Sequence, residues 1–530
     1  MNIKTSCMHA AIAVFVTLAL GGCSSVPSST IDKEGSIVIR NVADTPLRQM
    51  TTALSSGRGI TDSGFLLLDR GHNAVAWRLF LADTASKSID AQYFLWKDDR
   101  VGRLFLQHML DAAERGVRVR LVVDDSMTES DPLYLAKASA HPNVEIRLYK
   151  PFGPKHKNYV LRWVDFAADF KRLNRRMHNK LYIVDDSALI VGGRNIGEDY
   201  FEYAAPDIFR SRDLFSIGPV ADEASDVFDM FWNSPWTVPV EMAVDTPPTS
   251  EESEAFRVTL DQEGENPANY PPGYSPIGTL AQGQERLKNE LIWGPAKLVF
   301  DTVPGADGAP AVPKKQEDQV LEQLNKVADQ TRQEIIIESA YLILTGETLE
   351  RAKQATDQGI RVLALTNSLA ANNHTTAFVG YRKQRKKIIE AVSELYEYRP
   401  DASSQTELYN KLAPDQPMPH MGLHAKTSVY DRKVVFVGSF NMDPRSMNLN
   451  TETGVLVESI ELGQAVANSI LNDMAPGNSW LVRLNDKGKT EWVTVQDGIE
   501  NIEEHAEPLT SKTRKLEADI AQPFTPESQM

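Results

Sequence analysis

His178-Asn179-Lys180-Leu181-Tyr182-Ile183-Val184-Asp185 runs on to Gly192-Gly193-Arg194-Asn195. It returns as His424-Ala425-Lys426, Asp431 and Gly438-Ser439-Phe440-Asn441. Every matched pair is 246 residues apart, so H-x-K-x4-D-x6-G-x2-N is reproduced without a gap. Five fixed positions at one spacing meet by chance on the order of once in 10^4 chains of this size, and a second copy is far rarer. The chain is a duplication.

The surrounding sequence repeats as well. Ser88 to Leu95 reads as a buried strand, Gly102 to Arg115 as a helix with Leu104, Phe105, Met109 and Ala112 on one face, and Val117 to Val123 as the next strand after Gly116. That order is a β-α-β unit with a parallel pair. It recurs as strand Ile335 to Glu338, helix Thr348 to Asp357, Gly359 and strand Ile360 to Leu365. Gly116-Val117-Arg118-Val119 matches Gly359-Ile360-Arg361-Val362 at an offset of 243. The expected fold is α/β: two similar halves, each a mixed or parallel sheet flanked by helices, packed about a pseudo-two-fold axis.

The motif residues carry their own chemistry. His178 and Lys180 are two apart ahead of alternating apolar residues, as are His424 and Lys426. A strand period of two would put imidazole and ammonium on one side. If the halves pack about a dyad, two His, two Lys and two Asn converge. That set suits phosphodiester chemistry without metal: one His attacks phosphorus and the other protonates the leaving alcohol. Lys and Asn then hold charge on the equatorial oxygens. A flanking Lys repels a cation and no Cys is at hand, so neither metal nor cofactor is expected. His72, His108, His141 and His505 lack such context and read as structural or surface groups.

The 530 residues are 42 % hydrophobic and 24 % charged, which excludes collagen-like, disordered and disulfide-scaffold classes. Net charge is −16, from 56 Lys plus Arg against 72 Asp plus Glu, so nucleic acid is not an expected partner. Both cysteines, Cys7 and Cys23, lie in the first 23 residues. Lys4, the apolar run Ala10 to Leu20 and Leu20-Gly21-Gly22-Cys23 have the layout of a secretory signal, too short for a span of about 20 residues. The ending resembles the bacterial lipobox. It implies cleavage before Cys23, acylation there, and a lipoprotein of the cell envelope facing the periplasm. Ser24 favours the outer membrane.

The duplicated motif resembles that of the phospholipase D superfamily. The likeness runs from about Phe65 to the C-terminus. Thr366 to Asn372 with His374, Gly380-Tyr381, Leu395-Tyr396-Glu397 and Gly192 to Gly197 with Tyr200-Phe201 look like the bacterial cardiolipin synthase branch, especially its third type. The resemblance implies His178 as nucleophile and His424 as general acid, then base. It implies carboxylates that orient them, Asp213 for His178 and Glu452 for His424. Asn195, Asn441 and Ser439 would bind phosphate with Lys180 and Lys426; Asp185 and Asp431 belong to the catalytic motif but by analogy act more structurally. One departure is Gly193, which stands where the second copy has Ser439.

The implied activity is phosphatidyl transfer from a phospholipid such as phosphatidylglycerol to a second lipid alcohol. Hydrolysis to phosphatidic acid, a nuclease and an inactive envelope scaffold are the other readings. The expected layout is a signal at 1–22, a tether at 23–60, a first domain at 61–235, a connection at 236–330, a second domain at 331–475 and a C-terminal hairpin and tail at 476–530. Pro235 to Pro276 holds eight prolines and reads as surface. Lys150 to Lys180 carries nine Lys or Arg and two Asp, interleaved with Phe152, Tyr159, Trp163, Phe166 and Phe170. With Arg382 to Lys387 it reads as a patch for a membrane surface.

Overall fold

The first half is built from β1 (Asp62–Leu68), β2 (Ser88–Tyr93), β3 (Arg118–Asp124), β4 (Val144–Tyr149), β5 (Leu181–Val184), β6 (Ala188–Gly192), β7 (Asp207–Arg210), β8 (Asp213–Ile217) and β9 (Thr237–Pro239). These are the strands of a computed structural model that describes residues 33–524 apart from 126–131, 153–158, 204–206, 304–318, 414, 416, 497 and 504–505. The leader and Cys23 lie outside the described residues. β2, β3 and β4 pair in parallel, with helix Arg100–Glu114 crossing from β2 to β3. Antiparallel pairing extends them through β5, β6, β8 and β1 on one side and β9 on the other.

The second half repeats this order. It contains β10 (Ile292–Phe300), β11 (Glu334–Ser339), β12 (Arg361–Asn367), β13 (Glu394–Tyr398), β14 (His420–Leu423), β15 (Lys426–Tyr430), β16 (Val434–Gly438), β17 (Thr453–Glu458), β18 (Ser479–Leu484), β19 (Thr490–Gln496) and β20 (Ile499–Glu503). β11, β12 and β13 are the parallel run, flanked by β15, β16, β17 and β10 on one side and by β18 on the other. Antiparallel β1 and β10 join the two runs into one 18-stranded sheet.

β10 lies within the stretch read from sequence as a connection. Ile292–Pro295 pairs with β1 and Ala296–Phe300 with β17, so the strand changes partner at Pro295, where no N–H is needed. Gly294 is obligatory: a Cβ there would stand 2.4 Å from the Glu458 carbonyl oxygen. Gly and Pro in mid-strand erase the alternation that would have marked it. Upstream, helices Ser250–Gly264 and Leu280–Glu290 bury Leu260 and Leu287 against the first half.

The expected tether also docks. From Lys33 onward the chain lies on the first half: Lys33 Nζ donates to the Thr237 carbonyl (2.6 Å), Val38 N to Asp229 (2.6 Å), and Arg40 pairs with Asp186 (3.0 Å). Helix Pro46–Ser55 then buries Leu47 and Met50. At the other end, β18 and β19 form a hairpin with Gly488 in the left-handed region, and β20 and helix Lys512–Ala521 follow where a polar tail was expected.

The two halves share a core. Leu181, Ile183, Val191 and Leu214 of one pack with Val429, Val435, Val437 and Val455 of the other. Part of the basic stretches serves the fold, while Lys171, Lys386 and Lys387 are exposed. Arg176 pairs with Asp124, Lys150 is buried, Arg385 is buried between Glu397 and Glu507, and Arg382 pairs with Asp519. Phe170 is exposed, and the side chains of Tyr159 and Trp163 lie outside the described residues. Among the described residues no helix is long and apolar enough to cross a membrane.

Candidate active site

Each H-x-K-x4-D segment begins just before a strand and ends in the turn after it. Asp185 and Asp431 sit in those turns at φ 49°. The Asp185 carboxylate accepts from the backbone N–H groups of Ser86 (2.9 Å), Lys87 (2.7 Å) and Ser88 (2.9 Å). Asp431 does the same for Arg332 (2.9 Å), Gln333 (2.7 Å) and Glu334 (3.0 Å). Both carboxylates clamp the hairpin to the first parallel strand of their half. Named as catalytic in the motif, they meet neither histidine.

His178 and Lys180 precede β5, and His424 and Lys426 straddle the start of β15, so strand alternation does not set their directions. A local bond and the opposite half do. Lys180 Nζ donates to the His178 carbonyl (2.7 Å) and Lys426 Nζ to the His424 carbonyl (2.8 Å). His178 N donates across the dyad to Thr451 O (2.9 Å), and His424 N to Arg210 O (2.7 Å). β7 and β14 pair in parallel beside this crossing. Each His-x-Lys segment is thus held by backbone of the other half. All four side chains are nearly buried, His178 at 7 % exposure and His424 at 5 %.

The carboxylates fall differently from the expectation. Nδ1 of His178 lies 2.8 Å from Oε2 of Glu452, which belongs to the second half and not to His424's own surroundings. The Glu452 carboxylate also accepts from the Ser439 hydroxyl and the Ser446 hydroxyl (2.8 Å). Ser439 in turn accepts from Thr453 N (2.9 Å), so its hydroxyl is committed to Glu452 and not to phosphate. Asp213, expected behind His178, is buried instead against Arg78 (2.9 Å) and the Arg194 backbone (3.2 Å). Gly193 N bonds Arg212 O as Ser439 N bonds Thr453 O, which aligns Ser211 with Glu452. One half has Ser439 with Glu452; the other has Gly193 with Ser211. Where there is no carboxylate, there is no hydroxyl to hold it. Among the described residues no carboxylate bonds the His424 ring, which packs on Tyr200 (4.9 Å) and Phe209 (5.6 Å).

Burial and the two ammonium groups set the electrostatics. Both imidazoles are held well below the usual histidine range, first by desolvation and then by the charges of Lys180 and Lys426. Burial brings Lys180 down to about 7 and pushes Glu452 up to about 7, each moderated by the other's charge. The Nδ1–Glu452 contact directs Nε2 of His178 away from the carboxylate. Asn195 and Asn441 are buried with side-chain oxygens that have no partner among the described residues. Phe94 packs edge-on to His178 (4.9 Å) and under Lys180, while Tyr341 lies near Lys426 (5.9 Å). Sequence reading missed Phe94, Tyr200, Phe209, Tyr341 and Ser446, since only Ser446 and Glu452, six residues apart, are near in the chain. The result is a charged, largely desolvated cluster that can attack and stabilise a phosphodiester.

The description "Cardiolipin synthase, PLD-like domain" matches residues 81–232 and 324–474. The chain is 34 % identical over 464 residues to cardiolipin synthase C of Escherichia coli K12, covering 86 % of this chain and 94 % of that one. It is 21 % identical over 421 residues to a cardiolipin synthase of Staphylococcus aureus, covering 79 % and 68 %. Among solved structures, phosphatidylserine synthase of Haemophilus influenzae has the same fold, at a TM-score of 0.54 and 13 % identity over 91 % of this chain and all of that one. With both halves matched and the duplicated motif in place, the chain belongs to the cardiolipin synthase family of phospholipase D-like proteins.

Proposed function

We propose that this protein is a phosphatidyltransferase of the cardiolipin synthase type, which moves a phosphatidyl group from a phospholipid such as phosphatidylglycerol to a second lipid alcohol. The observation that carries the reading is the crossed pair of His-x-Lys segments with Glu452 behind His178 alone. The likeness to cardiolipin synthase C supports the choice of lipid substrates.

In the first step Nε2 of His178 attacks phosphorus. The bond from phosphorus to the leaving glycerol oxygen breaks, and that oxygen takes a proton from His424. In the second, the acceptor hydroxyl gives its proton to His424 as its oxygen attacks phosphorus, and the P–N bond breaks. Glu452 stabilises the cationic imidazole of the intermediate, while Lys180, Lys426, Asn195 and Asn441 hold the non-bridging oxygens. Acylation at Cys23 would anchor the enzyme in the bacterial envelope. The ten residues to docked Lys33 reach at most about 35 Å, which keeps the body close to its substrates.

Purified protein given labelled phosphatidylglycerol, with and without a second phospholipid and in the presence of a chelator, tests the proposal. Cardiolipin is expected. Phosphatidic acid as the sole product would assign water as acceptor, and inertness would leave a scaffold.

A further inference from the structure

Helix Thr375–Ala391 follows β12 through a turn. At its N-cap stands His374, an imidazole outside both motifs. Its backbone N–H donates to Asn372 Oδ1 (2.8 Å), which fixes the turn. Its ring lies 5.9 Å from that of Tyr341, and Tyr341 lies 5.9 Å from Lys426 Nζ. Tyr341 is itself steadied by donating its hydroxyl to Asn373 (2.9 Å). His374 therefore flanks the His424 side of the site, one aromatic ring from Lys426. It differs from the motif histidines in being open to solvent, and no side-chain partner binds its ring among the described residues.

We infer that His374, with Tyr341, forms the subsite for the incoming alcohol, and that it takes a hydroxyl-bearing, glycerol-type headgroup. The inference rests on the transferase reading above and adds to it the acceptor's place and class. Three features support it. The residue is on the side of His424, the group that must take the acceptor's proton. Its ring is accessible, as a subsite for an exchanging second substrate must be. An imidazole open to solvent is mostly uncharged above neutrality and so offers one donor and one acceptor. A neutral imidazole matches the donor and acceptor of a hydroxyl, whereas a phosphate would call for a cation. His374 is thus a positioning residue: it orients the hydroxyl, and His424 removes the proton.

The test uses the full-length protein with phosphatidyl-p-nitrophenol as donor and glycerol as acceptor. Nitrophenol release reports the first step, and the ratio of phosphatidylglycerol to phosphatidic acid reports the fate of the intermediate. In His374→Ala the KM for glycerol should rise about five- to tenfold and the transfer-to-hydrolysis ratio should fall in step. His374→Asn, which retains a donor and an acceptor, should recover part of both. A ratio and KM equal to wild type in His374→Ala would overturn the inference, as would a loss of turnover with the ratio intact. Wild-type protein that forms no transfer product with any alcohol would instead overturn the transferase reading, and this one with it.

Discussion

Glu452 reaches across the pseudo-dyad and places its carboxylate 2.8 Å from Nδ1 of His178. The aligned position behind His424 is Ser211, whose hydroxyl has no partner among the described residues. Two motifs with the same spacing thus carry unlike histidines. One is oriented by a carboxylate; the other packs on Tyr200 and Phe209. This asymmetry suits a nucleophile at His178 and an acid–base group at His424.

The covalent step separates the two. A donor with a good leaving group needs no acid, so His424→Ala should still accumulate a phosphatidyl adduct on His178. His178→Ala should form none with any donor. Mass spectrometry of the quenched protein reads this directly, and an adduct on His424 in the second variant would reverse the assignment.

The two buried carboxylates should fail in different ways. Glu452→Gln should lower kcat by up to about 10^4, the loss seen when the carboxylate that orients a catalytic histidine is replaced by its amide. Asp213→Asn breaks a buried pairing with Arg78 and Arg194 and should cost about 3–5 kcal/mol of stability. Denaturant midpoints and turnover per folded molecule distinguish these outcomes. A large catalytic defect in folded Asp213→Asn would place that residue in the reaction.

Asp185→Ala should leave three backbone donors without their acceptor and destabilise the fold by about 1–3 kcal/mol. Asp431→Ala should cost less, because the Arg332 and Gln333 N–H groups lie near the surface and can turn to water. Turnover of the folded fraction should stay within twofold of wild type for both, measured alongside thermal melts.

Substrate binding should take up protons near neutral pH. Free enzyme holds His424 well below its usual range, by desolvation and then by the Lys426 and Lys180 charges, and burial brings Lys180 down to about 7. A phosphodiester anion favours the protonated form of each and raises both. Between the free and bound values the complex carries more protons than its parts, so affinity falls as pH rises. Calorimetry of a non-cleavable phosphodiester in buffers of different ionisation enthalpy should show uptake of at least about half a proton at pH 7. Release would contradict the assignment of neutral imidazoles to the free enzyme.

The anchor is tested by metabolic labelling with palmitate. Label should be lost in Cys23→Ala, and the variant should leave the membrane fraction. Label that persists would show that the N-terminal stretch was misread.

The duplicated motif and the repeated β-α-β order stand in the chain as spacing, and spacing along a strand or between a strand and its crossover helix is a local property. From it follow the two α/β halves, the parallel pairs β2 with β3 and β11 with β12, and the identity of the paired His and Lys. What lay beyond the sequence is what depends on strands meeting across the dyad. β10 was invisible because Gly294 and Pro295 mark the point where it changes partners, and a change of partner has no periodicity. The family resemblance pairs Glu452 with His424, yet its carboxylate lies on Nδ1 of His178. The Thr451–His178 and Arg210–His424 backbone bonds cross likewise. The resemblance gives Ser439 to phosphate, and a hydroxyl beside the motif suits an anion or a carboxylate equally well. Only the packed structure shows that Glu452 had already taken it.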